Sequence, residues 1–159
     1  MTPEPVPEVI DTTPSKQRLR LWLRMLRATR SIESDIRELL RREFDTTLPR
    51  FDVMAALYRS EQAMTLTELS RELMVSNGNV TGIVERLEED HLVFRGTRNG
   101  DRRTSHITLT HSGRETFEMW VRAHEIWITR RLSDLDEDQT AEAIQLLKDI
   151  GLSAERHKR

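Results

Sequence analysis

The sequence predicts a mainly α-helical protein with one small β-hairpin. Three observations support this fold class: long helical runs of apolar residues at both ends of the chain, two short helices with capping signals between residues 65 and 90, and two alternating segments around an Asn-Gly pair. Two short helices joined by a tight turn and followed by a hairpin form a winged helix-turn-helix. We therefore expect a winged helix-turn-helix with long N- and C-terminal dimerisation helices.

The composition fits one domain of ordinary size and excludes several classes of protein. With 159 residues, the chain can bury a core but not two enzymatic lobes. It contains no cysteine, which excludes disulfides and thiolate metal sites, and its N-terminus lacks the basic and apolar segments of a secretory signal. No apolar run is long enough to span a bilayer. We expect a cytoplasmic protein.

Residues 1–14 are expected to form a flexible tail because they include four prolines among acidic residues and threonines. Residues 15–159 form the single domain, with residues 45–112 as the helix-turn-helix lobe and residues 15–44 and 113–157 as flanking helices. Apolar residues such as Leu19, Trp22 and Leu26 recur at helical spacing in the first of these helices. A helix of that length extends past the core of so small a domain. We therefore expect it to pack on a second copy of the chain, giving a homodimer.

The next two helices are marked by their first residues. Pro49 is expected at the first position of a helix that ends near Ser60. Thr65 can cap the following helix, and Glu68, three residues on, can reach back to the amide of the cap. This is the first helix of the helix-turn-helix.

The second helix of the helix-turn-helix has one apolar face and one polar face. Ser76 is its expected cap, and the apolar stripe contains Val80, Ile83, Val84 and Leu87. Two glycines within the helix cost about 1 kcal/mol each relative to alanine, and close approach of the backbone to another surface would explain them. The alternative is an ordinary exposed helix in which glycine is tolerated. The polar face of this helix consists of Asn77, Gly78, Asn79, Thr81, Gly82 and Arg86.

The hairpin is expected from Leu92–Thr97 and Ser105–Thr110, with Asn99 and Gly100 in the turn. Four arginines surround a single aspartate, Asp101, and concentrate positive charge on a chain whose net charge is −2. Arginines on a narrow hairpin suit insertion into a minor groove of DNA. The alternative is a solvated charged turn. The four arginines are Arg95, Arg98, Arg102 and Arg103.

Two long helices follow the hairpin. The first is expected to begin at Thr110 or Ser112 and carries Phe117, Trp120 and His124 on one side. The last begins near Asp136, which can form a capping pair with Gln139. Its narrow apolar stripe is typical of an interface between helices.

The segment DRRTSHITLT, from Asp101 to Thr110, and its continuation LTHSGRETF resemble the signature of the MarR family of bacterial transcription regulators. The resemblance implies that Arg103 enters the minor groove, that Asp101 braces the wing arginines, and that the start of the second helix enters the major groove. The partner implied is double-stranded DNA with a palindromic operator. The candidate DNA-binding residues are Thr65, Ser76, Asn77, Gly78, Asn79, Thr81, Gly82, Arg86, Arg98, Asp101, Arg102 and Arg103.

The same resemblance implies a crevice that binds a small aromatic effector. Aromatic and methionine side chains with a few polar groups are typical of such sites, although for any single one of these residues a place in the core is the favoured alternative. The segments LPRFDVMAAL and SNGNVTGIVERLE resemble the subgroup that controls catabolism of hydroxycinnamates and related aromatic acids, where acyl-CoA thioesters can be effectors. The candidate effector-binding residues are Trp22, Met25, Arg30, Phe51, Met54, Trp120 and His124.

No motif of a phosphate-binding loop, a serine hydrolase or a zinc protease occurs, and we expect neither an enzyme nor a cofactor nor a metal site. The sequence is interpreted as a ligand-responsive homodimeric repressor of a catabolic or efflux operon. Two alternatives stay open at this point: a small enzyme that uses His124, and a winged helix that binds other proteins.

Overall fold

The computed structural model describes residues 13–60, 62–97 and 105–156. In chain order the elements are α1 (Pro14–Phe44), α2 (Leu48–Ser60), β1 (Met64–Thr65), α3 (Leu66–Leu73), α4 (Asn77–Glu89), β2 (Val93–Thr97), β3 (Ser105–Leu109), α5 (His111–Arg131) and α6 (Glu137–Arg156). The predicted fold class, mainly helical with a hairpin wing, is confirmed. No helix in the described ranges is both long and apolar enough to cross a lipid bilayer.

The chain divides into two compact units, residues 1–45 and residues 46–159. The first unit contains α1, which has proline in its first turn and ends at Asp45 in the left-handed conformation. Arg41 and Arg42 lie in its last turn, where positive charge is favourable to the helix dipole. Apolar side chains near its start are exposed, including Leu19 and Trp22.

The second unit contains the helix-turn-helix, the wing and the last two helices. The centre of its core is formed by α2, which contacts α3, α4, α5 and β3. Val53 and Met54 of α2, Leu69 of α3 and Ile107 of β3 are fully buried there. The apolar stripe predicted for α4 is buried at Val80, Val84 and Leu87, which confirms the orientation of that helix.

The sheet has three antiparallel strands in the order β1-β3-β2. Its hairpin register pairs Phe94 with Thr108 and Arg95 with Ile107. The short strand β1 was not predicted, and it pairs Met64 with Ile107. A strand of two residues has no alternation to detect, so only its pairing in the fold defines it.

The predicted helix boundaries agree with the structure to within about two residues. Thr65 and Glu68 form the expected capping box, and Asp136 and Gln139 exchange backbone-to-side-chain hydrogen bonds of 3.1 and 2.8 Å. One detail of α2 was wrong: Leu48, not Pro49, is its first residue, so proline stands at the second position. Proline is tolerated there because the amides of the first turn have no partner within the helix.

Candidate nucleic-acid interface

The N-terminal half of α4 is open to solvent. The hydroxyl of Ser76 caps the helix by accepting a hydrogen bond of 3.4 Å from the amide of Asn79. Asn77, Gly78 and Asn79 are exposed, whereas Val80 on the opposite side is fully buried. The first turn of α4 therefore presents amide side chains at the N-terminal end of a helix, which suits hydrogen bonding to phosphates or base edges.

The two glycines of the polar face have no internal packing role. A Cβ atom added to Gly78 or Gly82 would meet no atom within 4 Å. Gly113 is a contrasting case, because a Cβ there would lie 1.8 Å from the carbonyl oxygen of Leu92. Gly113 is thus required by the fold, whereas Gly78 and Gly82 keep the surface of α4 flat.

The C-terminal end of α4 is anchored to the rest of the unit. Asp90, the C-cap residue, forms an ion pair with the guanidinium of Arg50 on α2. The hydroxyl of Thr110 donates a hydrogen bond of 2.7 Å to the carbonyl of His91 and accepts one of 2.9 Å from the amide of Gly113. The end of α4 is therefore tied to both α2 and the start of α5.

The wing is also tied to α4. Arg95 on β2 lies 3.6 Å from the carboxylate of Glu88, and its side chain is 24% exposed. The sequence places Arg95 with the arginines of the wing tip, but in the structure its side chain is directed to α4, because alternate residues of a strand face opposite sides of the sheet. Arg95 neutralises one of the acidic residues near the end of α4.

Two predicted DNA-binding threonines already use their hydroxyl protons inside the protein. The Thr65 hydroxyl donates to Glu68 at 2.9 Å, and the Thr81 hydroxyl donates to the carbonyl of Asn77 at 2.8 Å. The hydrogen bonds from Thr65, first from its amide and then from its hydroxyl, hold the pKa of Glu68 below its usual value. Phosphate oxygens only accept hydrogen bonds, so these hydroxyls cannot donate to DNA while their hydrogen bonds within the protein are intact.

The remaining candidates on α4 are exposed or half-buried, and Arg86 lies four residues after Gly82 on the same side of the helix. The wing-tip candidates Arg98, Asp101, Arg102 and Arg103 lie outside the described residues, as does the Asn99-Gly100 turn. Their roles stay predictions.

Met74, which lies in the turn between α3 and α4, was not among the predicted DNA-binding residues. Its side chain is 90% exposed, and its backbone is left-handed with φ of 53°. Periodicity assigns a methionine at this position to the core, so the sequence contains no signal of its exposure.

The candidate effector residues are divided between the two units. Trp22, Met25 and Arg30 belong to α1, and the other four belong to the second unit. There, the rings of Phe51 and His124 are 4.9 Å apart, and burial lowers the pKa of the His124 imidazole. Met54 and Trp120 are buried at 0% and 3% exposure. Their role in binding an effector stays a prediction.

Comparisons with known proteins agree with the fold. The MarR family model matches residues 46–105. The HTH-type transcriptional regulator YkoM of Bacillus subtilis (strain 168) is 28% identical over 138 residues, covering 86% of this chain and 88% of that protein. The crystal structure of a MarR family transcriptional regulator from Silicibacter pomeroyi is 30% identical, with a TM-score of 0.76 over 90% of this chain and 99% of that one.

FabT of Streptococcus pneumoniae, whose crystal structure was solved in complex with DNA, has the same fold. Its TM-score is 0.70 at 22% identity, covering 89% of this chain and 98% of that one.

The capped, glycine-containing helix and the adjoining wing, together with these similarities, define a transcriptional regulator of the winged helix-turn-helix type. The chain belongs to the MarR family of transcriptional regulators. The named relatives and structural neighbours are regulators and not enzymes, which removes the enzymatic alternative.

Proposed function

We propose that this regulator binds double-stranded DNA as a homodimer and inserts the N-terminal half of α4 into the major groove. The observation that carries the proposal is the polar face of α4, which is exposed in its first turn and contains two glycines without an internal packing role. Removing both Cβ atoms lets the helix backbone approach base edges closely, while Asn77 and Asn79 supply donors and acceptors that can pair with adenine.

The charge distribution supports insertion of only one end of α4. Its other end carries Glu85, Glu88 and Glu89, which phosphates would repel. That end is also occupied by the contacts of Asp90 with Arg50 and of Glu88 with Arg95. The N-terminal end has no acidic residue in its first turn, so no carboxylate there neutralises the positive end of the helix dipole.

Exposed apolar residues on α6 support a homodimer. Among the residues of α6 whose side chains are described, none is buried within the chain. Ile144, Leu147 and Leu152 are 50%, 54% and 58% exposed. A second copy that covered this face would remove large apolar side chains from water, which is the main favourable contribution to subunit association. Two copies related by a two-fold axis would bind a palindromic operator.

The proposal includes control by a small aromatic effector. Its basis is the family resemblance and the aromatic composition of the candidate residues, with aryl-CoA thioesters included because of the similarity to regulators of aromatic acid catabolism. The regulator would then act as the repressor of a catabolic or efflux operon. An effector releases DNA only if it binds the two states of the dimer with different affinity.

The DNA-binding part is tested by replacing Arg103 with alanine. Loss of one phosphate or groove contact should weaken binding to an operator duplex and reduce the slope of log affinity against log salt concentration by about 1. Arg130→Ala, on the exposed surface of α5, is the matched control and should keep the wild-type slope. Equal affinity and equal slope for wild type and Arg103→Ala would show that the wing tip does not contribute to DNA binding.

The effector part is tested with a panel of hydroxycinnamates, benzoates and their CoA thioesters. At least one member should release the labelled duplex and raise the melting temperature of the free protein, because a ligand that binds the native state stabilises it. A panel that neither releases DNA nor changes the melting temperature would contradict control by an aromatic acid.

A further inference from the structure

Met74 is an apolar side chain that contributes little to the fold of its own chain. It lies between α3 and α4, and 90% of its surface is exposed. Burying a methionine side chain is favourable, and here that contribution is almost completely missing. Packing within the chain therefore does not explain a methionine at this position.

The backbone at this position also disfavours methionine. Among the described residues other than glycine, positive φ angles occur at Asp45, Met74 and His91. Aspartate and histidine are enriched in the left-handed region, and glycine is the usual residue at the end of a helix. Met74, in contrast, brings a Cβ atom into a conformation that disfavours it. Methionine at this position is therefore favoured neither by the backbone conformation nor by packing within the chain.

The turn holds Met74 in a fixed position next to the polar face of α4. The amide of Val75 donates to the carbonyl of Ser70 at 3.1 Å, and the hydroxyl of Ser70 donates to the carbonyl of Val75 at 2.6 Å. Met74 is two residues before the cap Ser76, so their Cα atoms are at most about 7 Å apart. That distance corresponds to about two base-pair steps of duplex DNA.

We propose that Met74 contacts the C5-methyl group of a thymine in the major groove. This inference rests on the proposed function, since it assumes that the first turn of α4 enters that groove. The thymine methyl is the apolar group that base edges present there, and polar side chains such as Asn77 and Asn79 gain nothing from it. The flexible thioether of methionine adapts its shape to such a small apolar partner.

The test combines deletion of the side chain with deletion of the base methyl. Full-length wild-type protein first selects duplexes from a random pool, and each thymine of the selected site is then replaced, one at a time, by deoxyuridine. The affinity of the wild type, Met74→Asn and Met74→Leu is measured for every duplex. Asparagine tolerates the left-handed conformation, so Met74→Asn should fold, and its melting temperature is measured as the check.

Wild type should lose about four-fold in affinity at one thymine of each half-site, the value expected for one buried methyl group. Met74→Asn should bind the parent duplex more weakly and should no longer distinguish thymine from uracil at that position, whereas Met74→Leu should retain the distinction. Identical thymine-to-uracil profiles for wild type and Met74→Asn would overturn the contact while leaving DNA binding intact. A wild-type protein that selects no duplex would overturn the proposed function and this inference together.

Discussion

The space beside the Cα atom is filled at Gly113 but open at Gly78 and Gly82. At Gly113 the space for a Cβ atom is already occupied by the backbone of Leu92, whereas at Gly78 and Gly82 it is empty. Packing within the chain gives the two glycines of α4 no reason to be glycine, and alanine is the more favourable residue in a helix. Substitution by alanine can therefore separate a structural role from a DNA-binding role.

We expect Gly78→Ala and Gly82→Ala to raise the free energy of unfolding by about 0.5–1 kcal/mol, because alanine loses less backbone entropy. The same variants should bind DNA more weakly, because the added methyl group separates the helix from the groove. Urea unfolding and fluorescence anisotropy measure the two effects.

Gly151→Ala, at an equally open position on α6, is the control that should change stability without changing DNA affinity. Unchanged DNA affinity of both α4 variants would contradict close approach of the backbone.

The pKa of His124 predicts how stability depends on pH. Burial lowers that pKa, so the unfolded chain binds the proton more tightly than the folded chain. The contribution of the neutral His124 imidazole to the free energy of unfolding is complete above the pKa of the imidazole in the unfolded chain, about 6.5. It is lost as the pH falls below that value. When the pH is lowered from about 7.5 to 5.5, the melting temperature of His124→Gln should therefore decrease less than that of the wild type. Parallel melting profiles would assign the acid sensitivity to other groups.

At the scale of the elements, hydrogen bonds of Thr110 connect the start of α5 to the end of α4, and we call this connection the joint. The Thr110 hydroxyl bonds to both His91 and Gly113, and the Thr110 amide donates to the carbonyl of Leu92 at 3.1 Å. A change in the tilt of α5 would therefore displace the C-terminal end of α4. This joint connects the long helix α5 to α4.

Thr110→Val keeps the shape of the side chain but removes the hydroxyl. We expect it to lower the free energy of unfolding by about 1–3 kcal/mol, because a helix cap is lost and two polar backbone groups lose a partner. Thr110→Ser keeps the hydroxyl and should retain most of the stability. Chemical denaturation measures both variants, and an equally large loss for Thr110→Ser would point to the methyl group instead of the hydrogen bonds.

The elements also indicate how far the sequence alone can be interpreted. The caps at Thr65, Ser76 and Asp136 were predictable because their partners are three residues away. The direction of the Arg95 side chain and the exposure of Met74 were not predictable, because both depend on contacts between distant segments. The polar face of α4 was predicted from periodicity, and the structure leaves it open to solvent.

At the scale of the whole molecule, the exposed apolar side chains of α6 form the proposed homodimer interface. Charged substitutions at Ile144 and Leu147, both half-exposed in the chain, should disrupt a homodimer without unfolding the chain. We expect the Ile144→Glu, Leu147→Glu double variant to sediment as a monomer of 18.7 kDa and wild type at about twice that mass. Gln145→Glu, on the same turn, is the control. A double variant that keeps the wild-type mass would exclude this face of α6 from the interface.

The central claim is that two copies of α4 enter successive major grooves of one duplex. Selection of bound fragments from a random duplex pool, followed by sequencing, tests it most directly. The result we predict is an inverted repeat whose half-site centres are about 10 base pairs, or roughly 34–36 Å, apart. Enrichment of a single unrepeated site, or no enrichment at all, would contradict it.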